Sequence, residues 1–210
     1  MKIAGLILAG GQATRMGGVD KGLLAFEGRP LVQVIAEKLR PQVDGLWVSA
    51  NRNLAQYQAL GYPVFSDDVA WAGFGPLSGI ASFLAHLPSE YTHIQIVPCD
   101  TPNLPEDLSA KLVRTLTTAQ TTNPNIQAVY PQTDDTAHSA CALVMRAQLA
   151  QAQMCLTHHQ RSLQNWLTLA HAVPCDDFAN HHFINLNESH QWIELMHATE
   201  QAKKVPHDEL

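Results

Sequence analysis

The stretch that decides the fold runs from Leu6 to Gly22, LILAGGQATRMGGVDKG. It closes an apolar, β-prone run, Ile3–Leu8, and passes straight into a loop holding five glycines, with Arg15 and Lys21 among them. Glycines let backbone N–H groups approach an anion with no Cβ in the way. Arg15 can meet phosphate oxygens as a planar fork and Lys21 as a point charge. The backbone of Leu8, Ala9 and Gly10, at the strand's exit, can meet the edge of a base. The loop therefore reads as a cradle for a triphosphate, although the same composition also suits a solvated surface loop. Two familiar phosphate-loop spacings are absent. Lys21 is followed by Gly22, which rules out G-x-x-x-x-G-K-[ST], and Gly10-Gly11 is followed by Gln12-Ala13-Thr14, which rules out G-x-G-x-x-G.

Outward from this loop, short β-rich runs alternate with segments of helical period. Ile3–Leu8, Leu46–Ser49, Pro63–Phe65, His93–Val97, Ala128–Tyr130 and Cys141–Met145 read as strands. Pro30–Arg40, Leu54–Leu60, Pro76–Leu87, Pro105–Leu116 and Gln148–Cys155 read as helices, three of them opening on a proline that a first turn tolerates. Such alternation predicts an α/β domain with a mostly parallel sheet, whose ligand sits beyond the carboxyl ends of the strands. The polar stretch Thr117–Asn125 reads as a surface loop, and His158–His182 shows little period. A single domain is expected over residues 1–199, with a flexible tail at 200–210.

Composition narrows the chemistry. The chain has 210 residues, enough for one sizeable core, and a formal net charge of -6. That balance argues against a general nucleic-acid or membrane binder, so an anionic ligand has to be held by local cations or a metal. The four cysteines form no C-x-x-C pair and read as free thiols. Of the eleven histidines, only His158 stands at ligand-like spacing from a cysteine, Cys155, so they read as solvated or structural. The lysine-led apolar start is short for a signal peptide, and the terminal His207-Asp208-Glu209-Leu210 matches a retention signal that acts only on a secreted chain. A cytoplasmic protein is expected. A hard-oxygen metal ligand is available in Asp100, which follows the apolar run Ile94–Val97 at the sheet's expected carboxyl edge, although an aspartate there can equally open a turn.

The run Leu8-Ala9-Gly10-Gly11-x-x-x-Arg15-Met16-Gly17-Gly18-x-Asp20-Lys21 resembles the signature of the molybdenum cofactor guanylyltransferases, a branch of the nucleotidyltransferases. The doubled glycine sets it apart from branches that more often carry Ala-Gly. The resemblance implies a Rossmann-like three-layer nucleotidyltransferase fold, a central sheet flanked by helices. It makes Asp100, in Pro98-Cys99-Asp100-Thr101-Pro102, the Mg²⁺ ligand and Asp67 a nucleotide contact, with Asp68 a weaker candidate. Gly75-Pro76-Leu77-x-Gly79 resembles the family's second glycine loop. Ser49-Ala50-Asn51-Arg52 is similar to its N-x-N-R, with Ser49 in place of a guanine-contacting asparagine. The last third matches less well: His138–Leu143 lacks a proline, and Phe183–Glu188 lacks a Thr-Pro, leaving Asn185 and Asn187 to face the acceptor or a phosphate. Read without the family, those two asparagines are a helix cap.

What the resemblance implies is transfer of GMP from GTP to the terminal phosphate of molybdopterin, with pyrophosphate leaving in line. Arg15, Lys21 and Asp100 would be catalytic. Leu8, Ala9, Gly10, Gly11, Ser49, Asn51, Asp67, Asn185 and Asn187 would join Lys21 and Asp100 in binding. Mg²⁺ is the implied cofactor, GTP and molybdopterin the partners, together with proteins that deliver the cofactor or receive it. A nucleotidyltransferase using CTP or a sugar phosphate, or a non-catalytic nucleotide-binding module, are the competing expectations.

Overall fold

The computed structural model describes residues 1–10 and 20–186. The chain opens with β1 (Ile3–Leu8), a small hairpin of β2 (Ala25–Phe26) and β3 (Arg29–Pro30), α1 (Leu31–Leu39), β4 (Gly45–Ser49), α2 (Leu54–Gln58), β5 (Val64–Phe65) and α3 (Pro76–Phe83). It continues through β6 (His93–Pro98), α4 (Leu108–Thr122), β7 (Ala128–Thr133), β8 (Thr136–Ala137), β9 (Leu143–Met145), α5 (Ala147–Thr157), α6 (Leu163–Leu169) and β10 (Val173–Cys175).

One sheet carries the order β10-β7-β9-β6-β1-β4-β5, with β8 paired to β7. β1 lies parallel between β4 and β6. β5 extends the parallel set on one side, and β7 pairs parallel with β10 on the other. Only β9 runs against its two neighbours in that order. The chain winds outward from β1 through β4 to β5, then returns to β1's other flank as β6. That reversal of direction opens a crevice at the carboxyl ends of β1 and β6.

Strict alternation along the buried strands makes the three layers. Ile7 on β1, Val97 on β6, Val129 on β7 and Leu143 on β9 face one side, against Val32, Ile35 and Leu39 of α1 and Leu108, Leu112 and Leu116 of α4. Ala4, Leu6, Ile94, Ile96, Ala128 and Val144 face the other, against Leu77 and Ile80 of α3, Leu149 and Leu156 of α5, and Trp166 of α6. Period-two alternation with both faces covered is what a parallel sheet between helices demands. The four cysteines are unpaired and buried.

Two readings need correction. Thr117–Asn125 is helical as far as Thr122: Leu116 is buried, Ala119 packs on the same core, and Gln120 Nε2 donates to Ile126 O. Packing of that stripe outweighs the weak helix preference of the threonines. His158–His182 is not irregular either, since it holds α6 and edge strand β10. Among the described residues no helix is long and apolar enough to cross a membrane. The tail at 200–210 lies outside the described residues.

Candidate active site

Leu8, Ser49, Phe65 and Pro98 stand level in the sheet, so the four segments that follow them emerge together at one edge. The ladder runs slightly past the strands: Ala9 N donates to Ser49 O at 2.8 Å, Ala50 N to Phe65 O at 2.9 Å, and Cys99 N to Leu8 O at 3.1 Å. Backbone pairing thus sets Ala9, Ala50 and Cys99 rigidly, and the next residues, Gly10, Asn51 and Asp100, are the first free to face a ligand.

At the β6 end, Lys21 Nζ lies 3.2 Å from Asp100 Oδ2, with side chains 24% and 15% exposed. Lys21 begins a 3-10 turn, Lys21–Leu23, that brings it back over the edge after the glycine loop. Asp100 is pinned from the far side as well, because Leu186 N donates to its carbonyl at 2.9 Å. The adjacent Thr101, fully buried, donates through Oγ1 to Asn185 Oδ1 at 2.7 Å. The segment around Phe183, on which His138 stacks with centroids 4.4 Å apart, is therefore strapped against the Asp100 end. Cys99 is buried, and burial pushes its thiol well above the usual range, so it serves as a small apolar residue.

At the β5 end the polar groups converge on Asp67. Asn51 Nδ2 donates to Asp67 Oδ2 at 2.8 Å, and Asp67 N donates to Asn51 Oδ1 at 2.9 Å. The same amide reaches Gly10 O at 3.3 Å, and Ser49 Oγ reaches Asp67 Oδ1 at 3.4 Å. Burial pushes the Asp67 carboxyl above the ordinary carboxylate range, against the pull of the bonds from Asn51 and Ser49. Asp68 takes no part in this cluster. Its carboxylate accepts from Ala70 N at 2.8 Å and caps the turn Val69–Trp71.

Two glycines make the cluster sterically possible. A Cβ on Gly10 would lie 2.8 Å from Asn51 Nδ2, and one on Gly79 would lie 2.6 Å from Ser49 Oγ and 3.1 Å from Leu8 Cδ2. Gly79 lets α3 press against the exits of β1 and β4, while Gly73 and Gly75, at φ 81° and 91°, bend the chain into that helix with backbone angles that other residues resist.

Of the expected site residues, Leu8, Ala9, Gly10, Lys21, Ser49, Asn51, Asp67, Asp100 and Asn185 share this edge. Gly11, Arg15 and Asn187 lie outside the described residues. Sequence reading passed over Thr101, Asn53 and Tyr57. Thr101 was legible only as part of the Asp100 motif, and Tyr57 passes for one more apolar position of α2. A cavity of about 700 Å³ among Lys38, Asn103, Pro105, Lys111 and His182 is bordered by neither Lys21 nor Asp100.

Among the described residues no three His, Cys, Asp or Glu side chains converge as a metal cage. Asp100 stands as a single carboxylate beside a lysine. That donor set fits an ion such as Mg²⁺, which takes its other ligands from phosphate and water.

The profile of a family described as "MobA-like NTP transferase domain" matches residues 5–174. A molybdenum cofactor guanylyltransferase of Pasteurella multocida (strain Pm70) is 39% identical over 172 residues, covering 81% of this chain and 86% of that one. A molybdenum cofactor guanylyltransferase of Shewanella frigidimarina (strain NCIMB 400) is 36% identical over 205 residues, covering 96% and 98%. Among solved structures, molybdopterin-guanine dinucleotide biosynthesis protein A from Archaeoglobus fulgidus superposes with a TM-score of 0.73 at 18% identity, over 96% of this chain and 100% of that one.

Proposed function

The chain belongs to the MobA-like NTP transferase family, and from that premise we propose that it transfers GMP from GTP to the terminal phosphate of molybdopterin and releases pyrophosphate. It is a nucleotidyltransferase enzyme. The observation that carries the reading is the Lys21–Asp100 pair, 3.2 Å apart, at the carboxyl ends of β1 and β6.

A phosphate nucleophile is already anionic, so the protein needs no general base and no covalent intermediate. Its task is positioning and charge stabilisation. Lys21 exchanges its carboxylate partner for phosphate oxygens and offsets the charge that grows on the leaving pyrophosphate. Arg15, which the family resemblance also makes catalytic, would add a second cation for the phosphates. Asp100 would hold Mg²⁺, which when bound neutralises phosphate charge. Gly10 leaves room for the nucleotide at the strand exit. Asp67, an acceptor fixed by Asn51 and Ser49, suits the N–H donors on the edge of guanine and is a poor match for an edge that offers acceptors. Asn185, held by Thr101, and Asn187 flank the acceptor phosphate. Proteins that deliver the pterin or receive the dinucleotide are its expected partners.

The test is mass analysis of the product after mixing the protein, molybdopterin and Mg²⁺ with each of the four nucleoside triphosphates. The reading expects the guanine dinucleotide and stoichiometric pyrophosphate from GTP. Product from CTP but not GTP, or no product from any of the four, would overturn it.

A further inference from the structure

Asp20 immediately precedes Lys21, and both oxygens of its carboxylate are held by donors from the α2 segment. Tyr57 Oη donates to Asp20 Oδ1 at 2.5 Å, and Asn53 Nδ2 donates to Asp20 Oδ2 at 3.0 Å. Both donors come from α2 and its N-terminal residue, an element with no other place in the site. Asn53 sits in the left-handed region, φ 51°, which aims its amide back across the helix start. Tyr57 is wholly buried in the core on the α1 and α4 side of the sheet, so its hydroxyl is fixed by packing. Burial, and then the bond to Asp20, hold that hydroxyl protonated far beyond neutral pH, which keeps it a donor. Gly22, also buried, rests on the tyrosine so closely that a Cβ there would overlap the hydroxyl. The turn itself closes through Leu23 N to Asp20 O at 3.1 Å and Leu24 N to Lys21 O at 3.2 Å.

Lys21 thus stands between two carboxylates with different tasks. Asp100 faces its ammonium, while Asp20 ties the backbone next to it to a rigid post. A lysine on a glycine-rich loop has many rotamers and a mobile base. Fixing the residue before it removes the backbone share of that freedom and sets where the lysine side chain starts before a nucleotide arrives. We propose that Tyr57 is a positioning residue: through Asp20 it sets where the Lys21 ammonium stands at the cleft edge, so a buried tyrosine on α2 governs phosphate stabilisation that it does not itself touch. This rests on the reading of Lys21 as a phosphate-binding cation.

The experiment compares wild type, Tyr57→Phe, Lys21→Ala and the double variant in GTP- and molybdopterin-dependent pyrophosphate release. In parallel, amide exchange is followed at Leu23 and Leu24. Phenylalanine keeps the ring and removes only the donor. Tyr57→Phe is expected to lower kcat/KM about tenfold, the scale of a lost hydrogen bond to a charged group, and to speed exchange at both amides. In the Lys21→Ala background the same substitution is expected to change turnover less than about twofold, since the tyrosine acts through the lysine. An equal loss in both backgrounds would show a merely structural tyrosine and overturn the proposal, as would unchanged exchange at Leu23 and Leu24. Asn53→Gly, whose backbone tolerates the left-handed angle, provides a second variant outside the core and is expected to act in the same direction. Absence of turnover in the wild type would sink the functional reading instead, and the exchange data would still decide whether the anchor exists.

Discussion

Asp100 and Asp67 stand at opposite ends of the candidate site, after β6 and β5, and are held in opposite ways. Asp100 faces an ammonium at 3.2 Å, whereas Asp67 faces an amide at 2.8 Å and a hydroxyl at 3.4 Å. A charge pair can be exchanged: phosphate substitutes for the carboxylate on Lys21 at little cost in solvation. A half-buried carboxylate satisfied by neutral donors has no such alternative and keeps its shape. Under the proposed function, this difference gives the β6 end the moving charge and the β5 end a fixed outline to read.

The most severe way to break this contrast is to remove the charge pair. Lys21→Ala or Asp100→Ala should each lower turnover by about 100- to 1,000-fold, the usual loss for one preorganised electrostatic group, with an unchanged far-ultraviolet circular dichroism spectrum. Near-normal turnover in either purified variant would end the assignment. At the other end, Gly79→Ala should place a Cβ 2.6 Å from Ser49 Oγ. Overpacking of this kind costs about 1–3 kcal/mol, read as a lower midpoint in denaturant with an unchanged slope.

A smaller effect sharpens the contrast. Asp67→Ala should raise the KM for GTP about tenfold, by loss of charged hydrogen bonding, and narrow the preference for GTP over CTP while leaving kcat largely intact. A kcat defect as deep as that of Lys21→Ala would erase the distinction between the two ends. Smallest is a pH effect on stability. Because the fold raises the Asp67 carboxyl, the folded chain binds that proton more tightly than the unfolded one. The group's contribution is therefore full below the unfolded value and is lost as pH rises through the raised one. Melting temperatures of wild type minus Asp67→Asn should fall across that window and then level. A rise instead would mean that the bonds from Asn51 and Ser49 outweigh burial.

The nucleotide end was legible because its signals are local. β1 spans Ile3–Leu8, as the apolar run predicts, and Gly10 and the Asp100 motif each lie just past the end of a strand. What stayed hidden depends on tertiary partners. The reversed direction of β9 leaves no trace in three residues, Leu143–Met145, that would read the same in either sense. The last turns of α4 run through threonines that favour other states until Leu116 is buried. Tyr57 looks like a core residue and is one; its hydroxyl gains a role only when a residue 37 positions earlier folds against it.

The reversed strand has a further consequence. Because β9 descends while its neighbours rise, its amino end lies at the same rim as Asp100, with Ala142 O accepting from Ile96 N at 2.9 Å. The chain coming off the β7–β8 hairpin is already there, through His138 and Cys141, and no crossover helix is used to reach it. Residues 134–142 are therefore a short antiparallel return that delivers His138 to this rim, anchored where buried Cys141 and Ala142 accept from Gln95 Nε2 and Ile96 N.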